Sequence, residues 1–492
     1  MANKAATCQE IKEKVCEDRI SVLPDALLVQ ILLLLPIKEA VATSILSKPW
    51  SCIWTLMPKL VCKDTKHTNS KSFWWFFEQS LQLHKSPILE HLEVKLGSRC
   101  PADVDVGKLI LKAVERNIRL LDFNLKWSAK PISLPKTLYT CKTLKKLILS
   151  NKILIELPFE AFLPSLIKLE LFNVAYKDEG SLIRLLSSCP VLKTLIVVRE
   201  KNDNVIKFSV KVPSLNSLVY INNNDDDGVC GCGCSSSSGS LIIDSPQLKY
   251  LRVNDFSEDG CSIESMSPNL TMARVDVGSP PNENFLTYLS SVKFLHMTWI
   301  DETEVFCSCV NYSQLIECML RPCRAEYWVE SVMLLLDNSP NLKVLMIDTV
   351  SILPQAGFDF YYAFIKFIHS TFFFFFFFFV VSQKGIGESD DLRRWSYVPE
   401  CLSSQLEILE WKKYGGTRDE KQLLEYILAS SKCLKRAGIS MRYSKDCNDK
   451  MKKKLRKELK SMPRASVSSE LLFPAKFKWR SSVAQHCLFD LF

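Results

Sequence analysis

Residues 163–174 read LPSLIKLELFNV, residues 189–198 read CPVLKTLIVV and residues 339–347 read SPNLKVLMI, and this recurring pattern decides the fold. In each stretch a short turn precedes apolar residues that alternate with other residues, as in a strand with one buried face. Related stretches begin at Ser86, Asn117, Cys141, Val212, Ser245 and Leu289. The sequence therefore predicts a chain built from one repeated unit.

The spacing of the repeated leucines indicates which kind of repeat this is. Six of them are 22 to 29 residues apart, which is the period of a leucine-rich repeat: Leu92, Leu121, Leu147, Leu169, Leu195 and Leu218. No single repeat can bury its leucines, so neighbouring repeats must stack. We therefore predict an α/β solenoid with a parallel sheet, in which the residues between the leucines point outward.

The N-terminal stretch 18–54 reads DRISVLPDALLVQILLLLPIKEAVATSILSKPWSCIW and predicts short helices. Pro24 suits a first helical turn, Pro36 ends the apolar run, and residues 38–46 form a second periodic segment. Ser47 is positioned to cap a third helix that carries Trp50 and Trp54. These helices are too short to bury all their leucines, so the surplus apolar face must meet the rest of the chain or a partner.

These residues resemble the F-box of a large plant family that combines an F-box, leucine-rich repeats and an FBD domain. The pattern D-R-I-S-x-L-P-D-x-L-L-x-x-I-L followed by L-P-x-K-E-A-V-x-T-S-I-L-S-K-x-W carries the resemblance, which implies docking on a Skp-type adaptor and, through it, a cullin. The resemblance implies an adaptor-facing or supporting role for Leu23, Pro24, Leu27, Leu28, Ile31, Leu35, Pro36, Val41, Leu46 and Trp50. Pro49 departs from the family, which usually has arginine there, and we expect it to weaken docking without abolishing it.

The C-terminal region resembles the FBD domain of the same family, through V-P-x-C-L, L-E-x-x-x-W and E-x-x-L-x-x-Y-I-L between Val398 and Arg436. We expect a strand at residues 406–411, a turn at Gly415 and Gly416, and a helix over residues 418–429. A basic run at residues 450–460 predicts a surface helix with a buried stripe of Met451, Leu455 and Leu459, and a nuclear import signal is the alternative.

The resemblance implies that the outward face of the repeats selects a target protein. The candidate contacts are Lys146, Lys168, Glu170, Lys193, Lys249 and Arg252, and the alternative for each is a solvated surface residue. The expected domains are a disordered N-terminus (1–17), an F-box (18–64), leucine-rich repeats (80–350, with a polar insertion at 222–240), a Phe-rich segment (357–383), an FBD domain (392–473) and an unassigned tail (474–492). The fold expected overall is an N-terminal three-helix F-box module, an irregular leucine-rich-repeat horseshoe and a C-terminal FBD extension.

Residues 357–381 contain eight consecutive phenylalanines, Phe372–Phe379, followed by two valines. The run is long enough for a membrane span, but Asp359, Lys366 and His369 interrupt it. Phenylalanine codons are pyrimidine-rich, as is the tract before a splice acceptor, so we hypothesise a translated intron whose removal joins Ala356 to Lys384. We expect transcript sequencing to find a predominant message without the phenylalanine codons, and a predominant message that contains them would refute the hypothesis.

Composition limits the remaining possibilities. Apolar residues make up 47% and charged residues 24% of 492 residues, as in a globular protein, and the net charge of +9 is concentrated at residues 442–460, so no nucleic-acid surface is predicted. The charged N-terminus does not resemble a signal peptide, which favours cytoplasm, nucleus or both. Nineteen cysteines, such as Cys141, Cys189, Cys318 and Cys433, fit reduced, buried thiols.

No catalytic motif appears, and no cofactor or metal is expected, because the C-x-C-x-C loop at residues 230–234 lacks paired ligand spacing. The function that the family resemblance implies is a non-catalytic, substrate-recruiting subunit of a ubiquitin ligase. A repeat scaffold with a non-functional F-box, or a membrane protein anchored through its Phe-rich segment, are the alternatives.

Overall fold

The computed structural model describes residues 20–63, 70–97, 105–126, 130–199, 203–222, 240–255, 261–266, 268–277, 283–299, 310–322, 328–349, 397–442 and 449–474. The Phe-rich segment, the polar loop with its three cysteines, the first seventeen residues and residues 475–492 lie outside these ranges. The chain divides into two compact units, Met1–Ile153 and Leu154–Phe492.

The first unit combines short N-terminal helices with parallel strands. Its helices are α1 (Asp25–Leu32), α2 (Ile37–Ala42), α3 (Trp50–Ile53), α4 (Ser70–Leu83) and α5 (Val106–Glu115), with 3₁₀ turns at Thr43–Ile45, Trp54–Leu56 and Lys136–Thr140. Its strands are β1 (Lys59–Lys63), β2 (His91–Leu96), β3 (Leu120–Leu125), β4 (Ile132–Ser133) and β5 (Lys146–Asn151).

The strands β1, β2, β3 and β5 pair in parallel in that order. The register places Leu60, Leu92, Leu121 and Leu147 side by side, and all four are buried. Two residues further along, another inward row begins at Cys62, because alternate residues of a strand point to the same face. The predicted leucine alignment is therefore confirmed in this unit.

The second unit contains a longer series of the same elements. Its helices are α6 (Glu179–Ser187), α7 (Glu283–Leu289), α8 (Trp328–Asp337), α9 (Glu400–Ser404), α10 (Arg418–Ser430) and α11 (Asp449–Ser461). Its strands are β6 (Ile153–Ile155), β7 (Lys168–Phe172), β8 (Ala175–Tyr176), β9 (Thr194–Arg199), β10 (Phe208–Lys211), β11 (Ser217–Asn222), β12 (Leu241–Ser245), β13 (Tyr250–Asp255), β14 (Cys261–Met266), β15 (Met272–Val277), β16 (Phe294–Trp299), β17 (Glu317–Pro322), β18 (Val344–Asp348), β19 (Ile408–Tyr414), β20 (Arg436–Met441) and β21 (Glu470–Leu472).

These strands form one large parallel sheet, in which β7, β9, β11, β13 and β15 to β21 follow one another. Leu169, Leu195 and Leu218 lie side by side and are buried, as predicted from their spacing. Further along, the same inward row contains Ala273 and Cys318, which the leucine pattern misses. A second parallel sheet contains β10, β12 and β14, and β6 pairs with β8.

The C-terminal elements agree with the expected order of strand, turn and helix. Thr417 caps α10, with its side chain accepting from the Glu420 backbone while Glu420 Oε2 accepts from the Thr417 backbone N–H at 3.0 Å. Gly416 before it has φ +72°, and a Cβ there would lie 2.5 Å from Leu455 Cδ2. Helix α11 therefore packs directly against the turn, and only glycine fits at position 416.

The basic segment forms α11, as expected, with Leu455 and Leu459 buried. Lys421 of α10 contacts Glu458 of α11 at 2.8 Å. One expectation about the cysteines is wrong. Cys141, Cys189 and Cys318 are buried free thiols, but Cys433 is exposed because it lies in the turn after α10, where its Sγ donates to the Ser404 carbonyl oxygen at 3.3 Å.

Candidate partner-binding surface

Two prolines determine where the N-terminal helices begin. Pro24 precedes α1 and Pro36 precedes α2, and both have extended backbone angles, with ψ of 143° and 146°. Helix α1 ends at Leu32, so residues 33–35 form the turn before the second proline. Proline suits the start of a helix for two reasons. Its fixed φ is compatible with the helix, and the N–H group that it lacks would have no acceptor in the first turn.

The predicted adaptor-binding residues of this module differ in how far their side chains are exposed. Leu28 and Trp50 are buried, and they support the surface from below. Leu23, Leu35 and Val41 are half-buried. The exposed members of the predicted set are Pro24, Leu27, Ile31, Pro36 and Leu46.

Five aliphatic side chains on α1 or in the segments that follow α1 and α2 remain substantially exposed: Leu27 (44%), Ile31 (39%), Leu34 (84%), Ile45 (88%) and Leu46 (66%). We call these five residues the apolar surface. Because helical residues four apart share a face, Leu27 and Ile31 lie together on α1, while Leu28 and Leu32 face the interior. The arrangement can bind an apolar partner surface and contains no charged or nucleophilic group.

Leu34 and Ile45 are the most exposed of these residues, and neither belongs to the predicted set. Leu34 was missed because α1 ends at Leu32, so the helical period that phases Leu27 and Ile31 no longer applies to it. Ile45 lies in the 3₁₀ turn after α2. Ile45 belongs to the periodic segment 38–46 that was expected to be helical. That position was the available signal, but Ile45 was not included in the predicted adaptor-binding set.

The third helix is held by hydrogen bonds that differ from the expected cap. Ser47 does not cap α3, because the helix begins at Trp50 and Pro49 precedes it without a side-chain cap. The Ser47 hydroxyl instead lies 2.9 Å from the Ser21 hydroxyl, which accepts from Trp50 Nε1 at 3.1 Å. Pro49 has φ −55° and ψ −43°, so it is compatible with the helix start.

A buried histidine connects this helical module to the residue that follows α5 in the same unit. His84 Nε2 donates to the Met57 carbonyl oxygen at 2.7 Å, and its Nδ1 accepts from Arg116 Nη1 at 2.8 Å. Burial, together with the Arg116 charge, lowers the pKa of His84, so the neutral ring is the stable form. Backbone N–H groups of Lys85 and Ser86 also donate to the Thr55 carbonyl oxygen, which fixes the module at its C-terminal end.

The predicted target-binding residues belong to several different elements, and their role in binding stays a prediction. Lys146 begins β5 in the first unit. Lys193 and Lys249 are exposed in the turns that precede their strands. The other three lie on strands of the second unit, where Lys168 Nζ contacts Glu170 Oε1 at 2.9 Å and Arg252 is half-buried on β13.

Three outward residues near Arg252 were not predicted: Arg274, His296 and Arg321. The stretch that carries Arg274, residues 270–277, has alanine at the position of the repeated leucine. An alignment on the preceding turn, Ser-Pro-Asn-Leu at residues 267–270, was the signal that could have found it.

Comparisons with known proteins identify three regions of the chain. An F-box domain matches residues 20–62, the repeats of "FBD-associated F-box protein At5g56370, LRR repeats" match residues 106–290, and an FBD domain matches residues 394–439. Among the described residues, no helix is long and apolar enough to cross a membrane, and no cluster of three or more His, Cys, Asp or Glu side chains is arranged to hold a metal ion.

Several Arabidopsis thaliana proteins are similar over nearly the whole chain. "Putative FBD-associated F-box protein At1g05080" is 42% identical over 473 residues, which cover 94% of this chain and 99% of that protein. "Putative F-box/FBD/LRR-repeat protein At1g22000" is 44% identical, covering 94% and 93%, and F-box/FBD/LRR-repeat protein At4g26340 is 36% identical, covering 93% and 100%.

The N-terminal helices and the leucine-lined parallel strands thus define an F-box protein with leucine-rich repeats. The chain belongs to the plant F-box/FBD/LRR-repeat family. The recognition made from the sequence motifs is confirmed.

Proposed function

We propose that the chain is the substrate-recognition subunit of a Skp-cullin-F-box type ubiquitin ligase. In this proposal the F-box helices dock on a Skp-type adaptor, the adaptor connects to a cullin, and the repeats bind the target protein. Such a subunit accelerates transfer by holding the target near a separate enzyme, so it needs no catalytic residue and no cofactor of its own. Its expected location is the cytoplasm, the nucleus or both.

The observation that carries the proposal is the apolar surface. Its five aliphatic side chains are between 39% and 88% exposed, and they lie on α1 or in the segments that follow α1 and α2, within the region that matches an F-box domain. Fully burying one such side chain contributes about 1.5–3 kcal/mol, so covering several of them provides enough free energy for stable association. The buried side chains of Leu28, Leu32 and Trp50 hold the surface in place.

The repeats support the second half of the proposal. Their inward residues are buried in register from strand to strand, so the residues between them are presented at regular spacing. We infer that the strands stack as an α/β solenoid, with the FBD region as its C-terminal extension.

Co-purification with a plant Skp-type adaptor tests the proposal. We expect a stoichiometric complex, both with the full chain and with the chain lacking residues 357–383. If a folded chain fails to bind the adaptor, the alternative of a repeat scaffold with a non-functional F-box is favoured.

Pro49 is the feature that motivates this alternative. It is exposed and compatible with the start of α3, so we expect it to weaken docking only by the loss of the arginine that the family usually has there. Pro49→Arg is expected to tighten adaptor binding about threefold to tenfold, as for one added hydrogen bond of ordinary strength, without lowering the melting temperature. Titration calorimetry checks this, and Lys48→Arg, the neighbouring exposed position, is the matched control that is expected to leave affinity unchanged.

A further inference from the structure

The outward face of the second unit's sheet changes character from one end to the other. One outward row passes through adjacent strands by Cα pairing: Glu170, Ile196, Val219, Arg252, Arg274, His296, Met319, Met346 and Glu410. The row is apolar at β9 and β11 and basic at β13 and β15. The same face therefore presents an apolar region directly beside a cationic one.

The apolar region is a packed cluster on strands β7 to β15. Ile196, Val219 and Tyr250 form its buried base. Phe172, Ile221 and Met272 pack against this base and remain partly exposed. Because their positions are fixed by the pairing of the strands beneath them, these side chains form a preorganised contact for one bulky apolar group.

The cationic region begins with two arginines on neighbouring strands. Arg252 and Arg274 are Cα partners across β13 and β15. Burial lowers the pKa of Arg252, and the positive charge of Arg274 lowers it further, because like charges on neighbouring strands repel each other. The buried carboxylate beside them, Asp276, already accepts from Arg274 Nε at 2.7 Å and from Thr298 Oγ1 at 2.6 Å. The two arginines therefore provide two cationic side chains beside one buried carboxylate.

The second part of the cationic region surrounds Asp348, which is fully buried. Arg321 Nε, Lys412 Nζ and Lys413 Nζ lie 3.4, 3.3 and 3.9 Å from its carboxylate oxygens. Lys413 has φ +59°, and the register of β19 with β20 shifts there, so a bulge allows two consecutive lysines to approach one carboxylate. Three cations around one buried acid leave positive charge at the exposed side.

Three further titratable residues of this face, Glu410, Glu317 and His296, leave the balance of charges among the described residues positive. Glu410 is paired with Arg436 at 2.6 Å, and Glu317 begins β17. His296 adds no charge near neutral pH, because burial and Arg274 lower its pKa to about 3. The carboxylates Asp276 and Asp348 are buried, while the side chains of Arg274, Arg321 and Lys412 are 29–30% exposed. Among the described residues, the side chains that a partner meets on this face are therefore mainly cationic.

We propose that this face binds a peptide segment of the target protein in which a bulky apolar side chain is accompanied, about three and about six residues away on one side, by acidic residues. Neighbouring strands are about 4.8 Å apart, so Arg274 on β15 lies about 10 Å from the centre of the apolar cluster on β11, and Arg321 on β17 lies about 19 Å from it. An extended peptide covers about 3.3–3.6 Å per residue, which converts these distances into the stated spacing. This inference rests on the proposed function and specifies the class of target segment that the repeats bind.

Selection of a random peptide library displayed on phage, with the tagged full chain as bait, tests the proposal. We expect enriched peptides to share an apolar anchor with acidic residues at the stated spacing. Because Arg252 is the strand partner of Arg274, Arg252→Glu places a carboxylate beside Arg274. With this variant as bait, we expect the acidic preference nearest the anchor to disappear while the more distant one remains. A synthetic peptide from the first selection is expected to bind Arg252→Gln at least tenfold more weakly than the parent.

The matched control is Lys207→Glu with Lys211→Glu, which reverses two exposed lysines at β10, outside the large sheet of the same unit, and is expected to leave the selection unchanged. Circular dichroism verifies that each variant is folded, and Arg252→Gln serves if the glutamate variant is not. Absence of enrichment, enrichment without acidic residues, or the same preference with Arg252→Glu would each overturn the proposal.

These outcomes are separable from the test of the proposed function. Adaptor binding depends on Leu27, Ile31 and their neighbours in the first unit and is measured without any peptide. A chain that binds the adaptor but selects no acidic peptide retains the ligase proposal and loses this inference. A chain that selects such peptides but binds no adaptor retains the inference as a property of a repeat scaffold.

Discussion

Replacing Leu27 and Ile31 together by aspartate is expected to abolish co-purification with a Skp-type adaptor. Both side chains are partly exposed on the same face of α1, so the change costs the isolated protein little. In the complex it removes two apolar contacts worth about 1.5–3 kcal/mol each and places two carboxylates in an apolar interface. A loss of at least about 4 kcal/mol corresponds to about a thousandfold weaker binding.

The control for this experiment is Leu83→Asp, an exposed leucine on α4 of the same unit that lies outside the apolar surface. It should bind the adaptor like the parent protein. Leu34→Asp and Ile45→Asp extend the test to two exposed residues outside the predicted adaptor-binding set. Unchanged binding of the folded Leu27→Asp, Ile31→Asp protein would show that the apolar surface is not the docking site.

The largest expected loss of stability follows from Arg199→Met. Arg199 is 7% exposed and donates through Nε and Nη2 to both carboxylate oxygens of Asp203, at 2.6 and 2.8 Å. It also donates through Nη1 to Tyr220 Oη at 3.0 Å and through Nη2 to the Val205 carbonyl oxygen, and its guanidinium carbon lies 5.1 Å from the Phe208 ring centroid. The variant leaves Asp203 buried without its cation, which is expected to lower the free energy of unfolding by about 3–5 kcal/mol.

Urea denaturation of the purified protein measures this loss, and two further variants identify its cause. Lys435→Met removes an exposed ion pair of similar length, 2.7 Å to Glu407, and is expected to cost less than about 1 kcal/mol. Adding Asp203→Leu to Arg199→Met removes the orphaned charge and is expected to restore part of the stability. A double variant that is less stable than Arg199→Met alone would contradict this account.

Much of the candidate site could be predicted because it depends on local patterns. Leu27 and Ile31 are four residues apart, and helical periodicity is sufficient to place them on one face. Leu34 could not be placed in this way, because it lies beyond the end of α1, where that periodicity stops. The role of Ser47 was wrong for a related reason: its hydrogen bond goes to Ser21, twenty-six residues earlier, and no local pattern reports such a contact.

The sequence by itself determined the family, the repeated strands and their inward leucines. The spacing of Leu169, Leu195 and Leu218 was sufficient to align them, because a strand buries every second residue and each repeat must bury its leucine against the next. Tertiary structure alone decided which outward residues become neighbours. Arg252 and Arg274 are adjacent, and Asp348 meets Arg321, Lys412 and Lys413, because hydrogen bonds between strands set the register across connecting segments of unequal length.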